Sequence, residues 1–208
     1  MQGGRRAGKW EEAFQMIKTD KIGVFAVAET HLREEEMPPE CEGMLWEGVN
    51  REGKERRGAG VAGTEPKCQE HVWITGKLAG QEVAVAVVYL WTGTGSRERN
   101  QELVECIKRD CNGLKRPTII MGDFNAHLEE FDGRTDHNGK LMLDMADHLN
   151  MVIANSESKC TGKTTWTARE TSSTIDYCLM SPELYERLKY MEIDEEGNRA
   201  WEATTTDY

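Results

Sequence analysis

Apolar residues recur along the chain with two distinct periods, and the alternation between them predicts the order of elements. Trp10, Ala13, Phe14 and Ile17 stand at i, i+3, i+4 and i+7 in "WEEAFQMI", the spacing of an amphipathic helix. Residues 22–28, "IGVFAVA", then form an unbroken apolar run with β-branched and aromatic members, which predicts a strand buried on both faces. An irregular stretch over 33–68, rich in Glu, Gly, Pro and Arg, follows. "HVWITGK" (71–77) and "EVAVAVVYL" (82–90) predict two strands joined through "LAGQ" as a hairpin. Beyond the polar loop "WTGTGSRERN", Leu103, Val104 and Ile107 mark a short helix. "TIIM" (118–121) predicts a buried strand, and "KLMLDMADHL" (140–149) a helix with Met142, Met145, Ala146 and Leu149 on one face. Further strands are expected at 151–154, 163–167 and 174–180. Ser181 before Pro182 is a start signal for a last short helix, a capping residue followed by proline at the first helical position.

About eight strands and three or four helices, mixed along the chain, predict a single α+β domain with two sheets packed face to face and helices outside. A length of 208 residues suits one such domain. No apolar run approaches the roughly 20 residues of a membrane span, so no membrane partner is expected. "MQGGRRAGKW" has no apolar segment behind its arginines, which argues against a secretory leader. Six cysteines lie scattered without repeated spacing, the pattern of reduced, packed thiols in an intracellular protein.

Charge narrows the function. A net charge of −11, from 26 basic and 37 acidic residues, argues against a plain electrostatic nucleic-acid binder. It leaves room for an enzyme acting on nucleic acid, because local basic clusters and a bound divalent cation offset the field. Arg5, Arg6 and Lys9 form one such cluster and "REGKERR" (51–57) another, although composition alone favours solvated loop charge for both.

The candidate chemistry sits where apolar runs stop. "IIMGDFNAHL" (119–128) ends a run of strand formers in Asp123 and Asn125; other strand ends carry Glu29, Tyr89 with Thr92, and Asp176 with Tyr177. Asp207 adds a fifth acidic group in "TTTDY". Carboxylates pooled with little His or Cys suit a hard cation such as Mg2+, which binds one or two carboxylates plus substrate phosphate and polarises a phosphoryl oxygen. The plainer alternative is strand-end acids facing water, with Gly-Asp and Asn forming a turn.

"FAVAETHL", "VAVVYL", "IIMGDFNAHL" and "STIDYCLMS", in this order and near this spacing, resemble the endonuclease/exonuclease/phosphatase family over essentially the whole chain. Within it they resemble the apurinic-endonuclease-like domain of non-LTR retrotransposons. The resemblance implies a four-layer α/β sandwich of two packed mixed β-sheets with outer helices. It also implies Mg2+-dependent phosphodiester cleavage, with Mn2+ as a substitute ion and DNA as partner. The implied task is nicking of target DNA, so that the new 3′-hydroxyl primes reverse transcription.

By that resemblance Glu29 and Asp207 hold the metal, and Asp123 holds or activates the attacking water. Asn125 supports the phosphate and that water, and Asp176 orients a catalytic histidine. Tyr89 contacts the scissile phosphate, with a half-buried core tyrosine as the alternative. Thr92, where the family usually has Asn, and Ser173, three residues before Asp176, are implied substrate contacts. His31 and His127 match no catalytic position and read as structural or surface residues.

Three departures qualify the match. The family's opening strand ends in an "NxxG" turn, and here the chain starts at Met1-Gln2-Gly3-Gly4. "RRGAGVAG" runs straight into "TEPKCQEHVW", about one strand shorter than the family pattern after Val61. Thr206-Asp207-Tyr208 stands where the family has Ser-Asp-His and a final strand. The expectation is one domain over 1–208, truncated at both ends and missing the first and last strands. A phenol with a pKa near 10 cannot replace an imidazole near 6.5, and loss of an acid–base partner costs about 10²- to 10⁴-fold in rate. Impaired activity is therefore expected. The alternatives are an inactive relic with weak nucleic-acid binding, or a phosphatase of the same superfamily. A pure interaction module would leave the placed acids unexplained.

Overall fold

The computed structural model describes residues 3–20, 22, 24–27, 32, 36–48, 71–78, 80–168 and 171–195. In chain order these form helix α1 (Gly3–Asp20), strands β1 (His71–Leu78) and β2 (Gln81–Tyr89), helix α2 (Ser96–Leu114) and strand β3 (Thr118–Asp123). Helices α3 (Glu129–Asp132) and α4 (His137–His148), strand β4 (Val152–Ile153) and a 3-10 turn (Ala154–Ser156) follow. Strands β5 (Cys160–Thr161), β6 (Trp166–Ala168), β7 (Thr171–Ser173) and β8 (Asp176–Met180), helix α5 (Pro182–Arg187) and strand β9 (Met191–Glu192) complete the described chain. No described helix is long and apolar enough to cross a membrane.

The run at 82–90 is the middle of this structure. Every residue of it from Val83 to Leu90 is buried, as expected of a strand covered on both faces. It pairs antiparallel with β1 through the expected hairpin, Leu78 opposite Gln81, and parallel with β3 on its other side. A parallel pair cannot be closed by a tight turn, and α2 supplies the crossover. The sheet runs β1-β2-β3-β8-β4, with β8 antiparallel to both of its neighbours. On one face Ala86, Val88, Ile120, Tyr177 and Leu179 meet Leu103, Val104 and Ile107 of α2 and Met142, Met145 and Ala146 of α4. The residues in between point the other way. Val83, Val85, Ile119 and Met180 pack with Leu184, while Val72 and Val87 pack with Ala26. Ribbons β5–β9 and β6–β7 are separate two-stranded sheets.

The α+β class and the mixed main sheet agree with the sequence pattern, and several boundaries differ for identifiable reasons. Residues 22 and 24–27 of the expected first strand belong to no sheet, although Val27 is buried and Ala26 lies against Val72 and Val87. The expected strand at 163–167 begins only at Trp166, because the Lys163 and Thr164 N–H groups donate to Glu195 Oε1 (2.9 and 2.7 Å). The one at 174–180 begins at Asp176. Thr174 N donates to Asp132 Oδ1 (3.3 Å) and Ile175 N to Thr165 Oγ1 (2.9 Å) instead of to a ladder. At 151–154 only Val152–Ile153 is strand, since Ala154 opens the 3-10 turn. The short helix around Leu103 runs 19 residues; buried Asn100 and Lys108 interrupt its apolar pattern without ending it. Ser181 precedes α5 as expected, but its Oγ accepts from Thr118 N (2.7 Å) rather than from its own helix.

Lys108 ties the two covering helices. Its side chain is 8% exposed, and Nζ donates to Glu105 (2.9 Å) and to Asp144 of α4 (2.6 Å). Burial disfavours the ammonium, yet the two carboxylates outweigh it and hold its pKa above the usual lysine value. The same hydrogen bond holds Asp144 below the usual carboxylate range. A depressed carboxylate stabilises above its unfolded pKa and loses that contribution as pH falls, and a raised lysine loses its own only as pH rises past its folded value. Wild type should therefore gain most over Lys108→Met between about pH 5 and pH 9, and the gain should start to fall below about pH 4 and disappear once Asp144 is protonated in the folded state. Thermal melts of both proteins across that range test it; a gap independent of pH would remove the ion pair from the account.

Candidate functional site

Strands β2, β3 and β8 end together. Tyr89 is in register with Asp123, and Asp123 with Asp176, so three neighbouring strands carry a tyrosine and two carboxylates in one row. Paired positions on adjacent strands bring Cβ atoms to roughly 4.5–5.5 Å. Counting along each strand from the residues that meet α2 and α4, this row lies on the opposite face of the sheet. Asp123 and Asp176 are half-buried. Tyr89 is 2% exposed and sits edge-on to Trp91, with centroids 5.8 Å apart.

The turn after Asp123 is built by its own side chains. Asn125 N–H donates to Asp123 Oδ1 (2.8 Å), and Asn125 takes a positive φ of 44°. Asn125 Nδ2 donates to Leu90 O (2.7 Å), which leaves the carboxamide oxygen without a protein partner among the described residues. Glycine is required just before. Gly122 has φ +143°, and a Cβ there would stand 2.0 Å from Val88 O on the adjacent strand. Only a residue without a side chain lets β3 run this close to β2 and still present Asp123 in the row.

Residues remote in sequence hold these strand ends, and nothing in the local pattern announces them. Asn155 Oδ1 accepts from Cys178 N (2.8 Å) and its Nδ2 donates to Asp176 O (3.1 Å), which continues the β8 ladder past the end of β4. Thr165 Oγ1 accepts from both Ile175 N and Asp176 N (2.9 and 3.1 Å). Buried Asn100 and Asn138 bond the backbone of Trp91, Phe124 and Asn125. Tyr177 donates from its phenol to Thr174 O (3.0 Å), with Phe124 and Phe131 edge-on against its ring. Burial first, then the Asp132, Asp136 and Asp176 carboxylates, push its pKa far above the usual tyrosine value, so the phenol keeps its proton and donates it.

The other expected residues divide. Thr92 lies exposed in the loop after β2, beside Trp91, whose ring carries the Arg99 guanidinium 4.1 Å from its centroid. Ser173 closes β7, and its carbonyl accepts from Thr165 N (3.1 Å), one residue-link from Asp176. His127 is a structural tie: Nδ1 lies 2.7 Å from Asp132 Oδ2, and Asp132 reaches on to Thr174 N. Glu29, Asp207 and His31 lie outside the described residues, as do residues 49–70 and the first two positions. Among the described residues no group of three or more His, Cys, Asp and Glu side chains could hold a metal ion.

A model of the endonuclease–reverse transcriptase family matches residues 83–202, more than half of the sequence. The chain belongs to that family. Tyr89, Thr92, Asp123, Asn125, Ser173 and Asp176 all fall inside the matched span, and Glu29 and Asp207 fall outside it. Among curated proteins none matches. Among solved structures, the endonuclease domain of TRAS1, a telomere-specific non-LTR retrotransposon, is similar with TM-score 0.63 and 18% identity over 86% of this chain and 81% of that one. A mannosyl-6-phosphatase from Bacteroides thetaiotaomicron gives TM-score 0.55 and 16% identity over 85% and 78%. Truncated TDP2 from Caenorhabditis elegans gives 0.51 and 13% over 86% and 78%. At these identities the likeness is one of fold, that of the endonuclease/exonuclease/phosphatase superfamily.

Replacing Gly122 tests how the row is made. Gly122→Ala should cost on the order of 3 kcal/mol or more, from backbone strain and overlap with the Val88 carbonyl together. Urea unfolding of both proteins checks it; a loss below about 1 kcal/mol would mean that β2 and β3 separate easily here.

Proposed function

We propose that this protein is a Mg2+-dependent endonuclease that nicks DNA for a retrotransposon reverse transcriptase, with a low intrinsic rate in this copy. The observation that carries the reading is the row Tyr89–Asp123–Asp176 at one sheet end, with Asn125 turned beside it, inside the span matched by the family. The donors there are carboxylate and carboxamide oxygens with no thiolate or imidazole among them, the set that suits a hard cation. Mg2+ needs few protein ligands, so Glu29 and Asp207 would be enough to hold it, with Asp123, Asn125 and Asp176 left for catalysis. When bound, the ion would supply charge stabilisation at the phosphoryl and leaving oxygens.

The chain's own groups do the rest. Asp123, its Oδ1 already fixed by Asn125 N–H, orients the attacking water and accepts its proton. Asn125 Nδ2 is committed to Leu90 O, so its Oδ1 accepts from that water and fixes its direction. Tyr89, deep at the end of β2, serves as the floor of the phosphate site rather than as an exposed contact. Thr92 and Ser173 border the path of the DNA strand. The low rate rests on Tyr208, which follows Asp207 where an imidazole is required to protonate the leaving oxygen. The second reading, an inactive relic, rests on that same residue. A small-phosphoester phosphatase rests on fold likeness alone.

Supercoiled plasmid incubated with the purified protein separates these readings. Nicking should appear with Mg2+, stop with EDTA, and fall at least about 100-fold in Asp123→Ala. Tyr208→His should raise the rate. Equal traces from wild type and Asp123→Ala would leave the family relationship without the activity.

A further inference from the structure

The bend at Phe124 and Asn125 creates a problem of backbone chemistry. The carbonyls of Phe124 and Asn125, and that of Trp91 where β2 has just ended, pair with no strand among the described residues. Buried carbonyls need donors. One side chain faces all three: Asn138 Nδ2 lies 3.2 Å from Trp91 O, 3.2 Å from Phe124 O and 3.0 Å from Asn125 O, so one of its two N–H groups is shared between two carbonyls. Its own Oδ1 accepts from Asn100 Nδ2 (2.9 Å), which fixes the orientation of the amide. Asn100 in turn accepts from Trp91 N (2.9 Å) and donates to Trp91 O (2.8 Å), the two bonds a neighbouring strand would make. Asn100 is 0% exposed and Asn138 7%. Two amides therefore extend the sheet by one residue where no strand is left, and they do so under the turn that carries Asp123 and Asn125.

We infer that Asn100 and Asn138 are positioning residues of the candidate site: they lock the β2 end and the Asp123–Asn125 turn into one rigid piece, so that the Asn125 carboxamide and the Asp123 carboxylate keep a common orientation. The inference rests on the endonuclease reading for its catalytic consequence, and on the hydrogen bonds alone for its structural part. The amides act from α2 and α4, on the helix side of the sheet, while the row they support opens on the other side. They touch no reacting atom. Their effect is on geometry, and a displacement of about 1 Å at a reacting group costs on the order of 100-fold in rate. No carboxylate could replace Asn138, because it would set acceptors against three carbonyls.

The test compares Asn138→Ala with Met142→Ala, which removes a buried side chain from the same helix that makes none of the hydrogen bonds to the turn. In the Mg2+ plasmid assay Asn138→Ala should lower kcat about 10- to 100-fold with KM within about twofold, while Met142→Ala at equal loss of Tm keeps kcat near wild type. Equal kcat in the two variants would reduce Asn138 to a packing residue and overturn the inference. A second readout does not depend on activity: in the 1H–15N spectrum the Asn125 side-chain amide, donated to Leu90 O, should exchange slowly in wild type and in Met142→Ala and fast in Asn138→Ala. If wild type does not nick, the endonuclease reading fails and this exchange still decides the positioning; unchanged protection in Asn138→Ala overturns it. Asn100→Ala gives the same pair of readouts if Asn138→Ala does not fold.

Discussion

The parallel contact between β2 and β3 is the constraint from which the rest of the described structure follows. β2 is buried from Val83 to its end, so whatever runs beside it there must match its backbone spacing and leave no gap. β3 does so only because position 122 carries no side chain; a methyl group there would overlap the Val88 carbonyl. With that approach fixed, Tyr89, Asp123 and Asp176 fall into one row, and the Phe124–Asn125 bend must occur where it does. A single glycine thus couples packing to the placement of two carboxylates.

What holds the bend is also informative about how this fold manages the ends of its strands. Three times a side chain takes the place of a strand neighbour. Asn155 continues the ladder beside β8, Asn100 pairs the peptide of Trp91, and Thr165 takes the N–H groups of Ile175 and Asp176. In each case the backbone leaves the sheet near a candidate functional residue, and an unpaired buried peptide group would cost about 1–3 kcal/mol. Side chains can satisfy these groups without the flat continuation that a strand would impose. Loops can therefore diverge from the sheet while the residues at their base stay fixed, which is what a site built at a sheet end needs.

Legibility in the sequence followed the range of the interactions involved. The strand at 82–90 and the helix around Met142 and Met145 were readable because burial on one or two faces writes itself into local periodicity. "GDFNA" was readable because a turn of Gly, Asp and Asn is local chemistry. Of the strand expected at 22–28, the described residues 22 and 24–27 are not strand although Ala26 packs against Val72 and Val87, because apolar cover is a local property and ladder geometry is not. Asn100, Asn138, Asn155 and Thr165 could not be found from the sequence. A polar residue reads the same whether it faces water or a carbonyl brought from 47 residues away, as Trp91 is to Asn138. For Tyr89 the core alternative was legible in the sequence, and its 2% exposure goes beyond the half-burial expected there.

The sequence by itself determined the α+β class, the order of the main strands, the family and the identity of the acidic and amide groups at the strand ends, because these depend on local pattern and on residue type. Tertiary structure alone decided that Tyr89, Asp123 and Asp176 share one row, that Gly122 is what allows it, and that two buried amides from separate helices hold the turn. Register and hydrogen-bond partnership are relations between distant segments, and no single segment contains them.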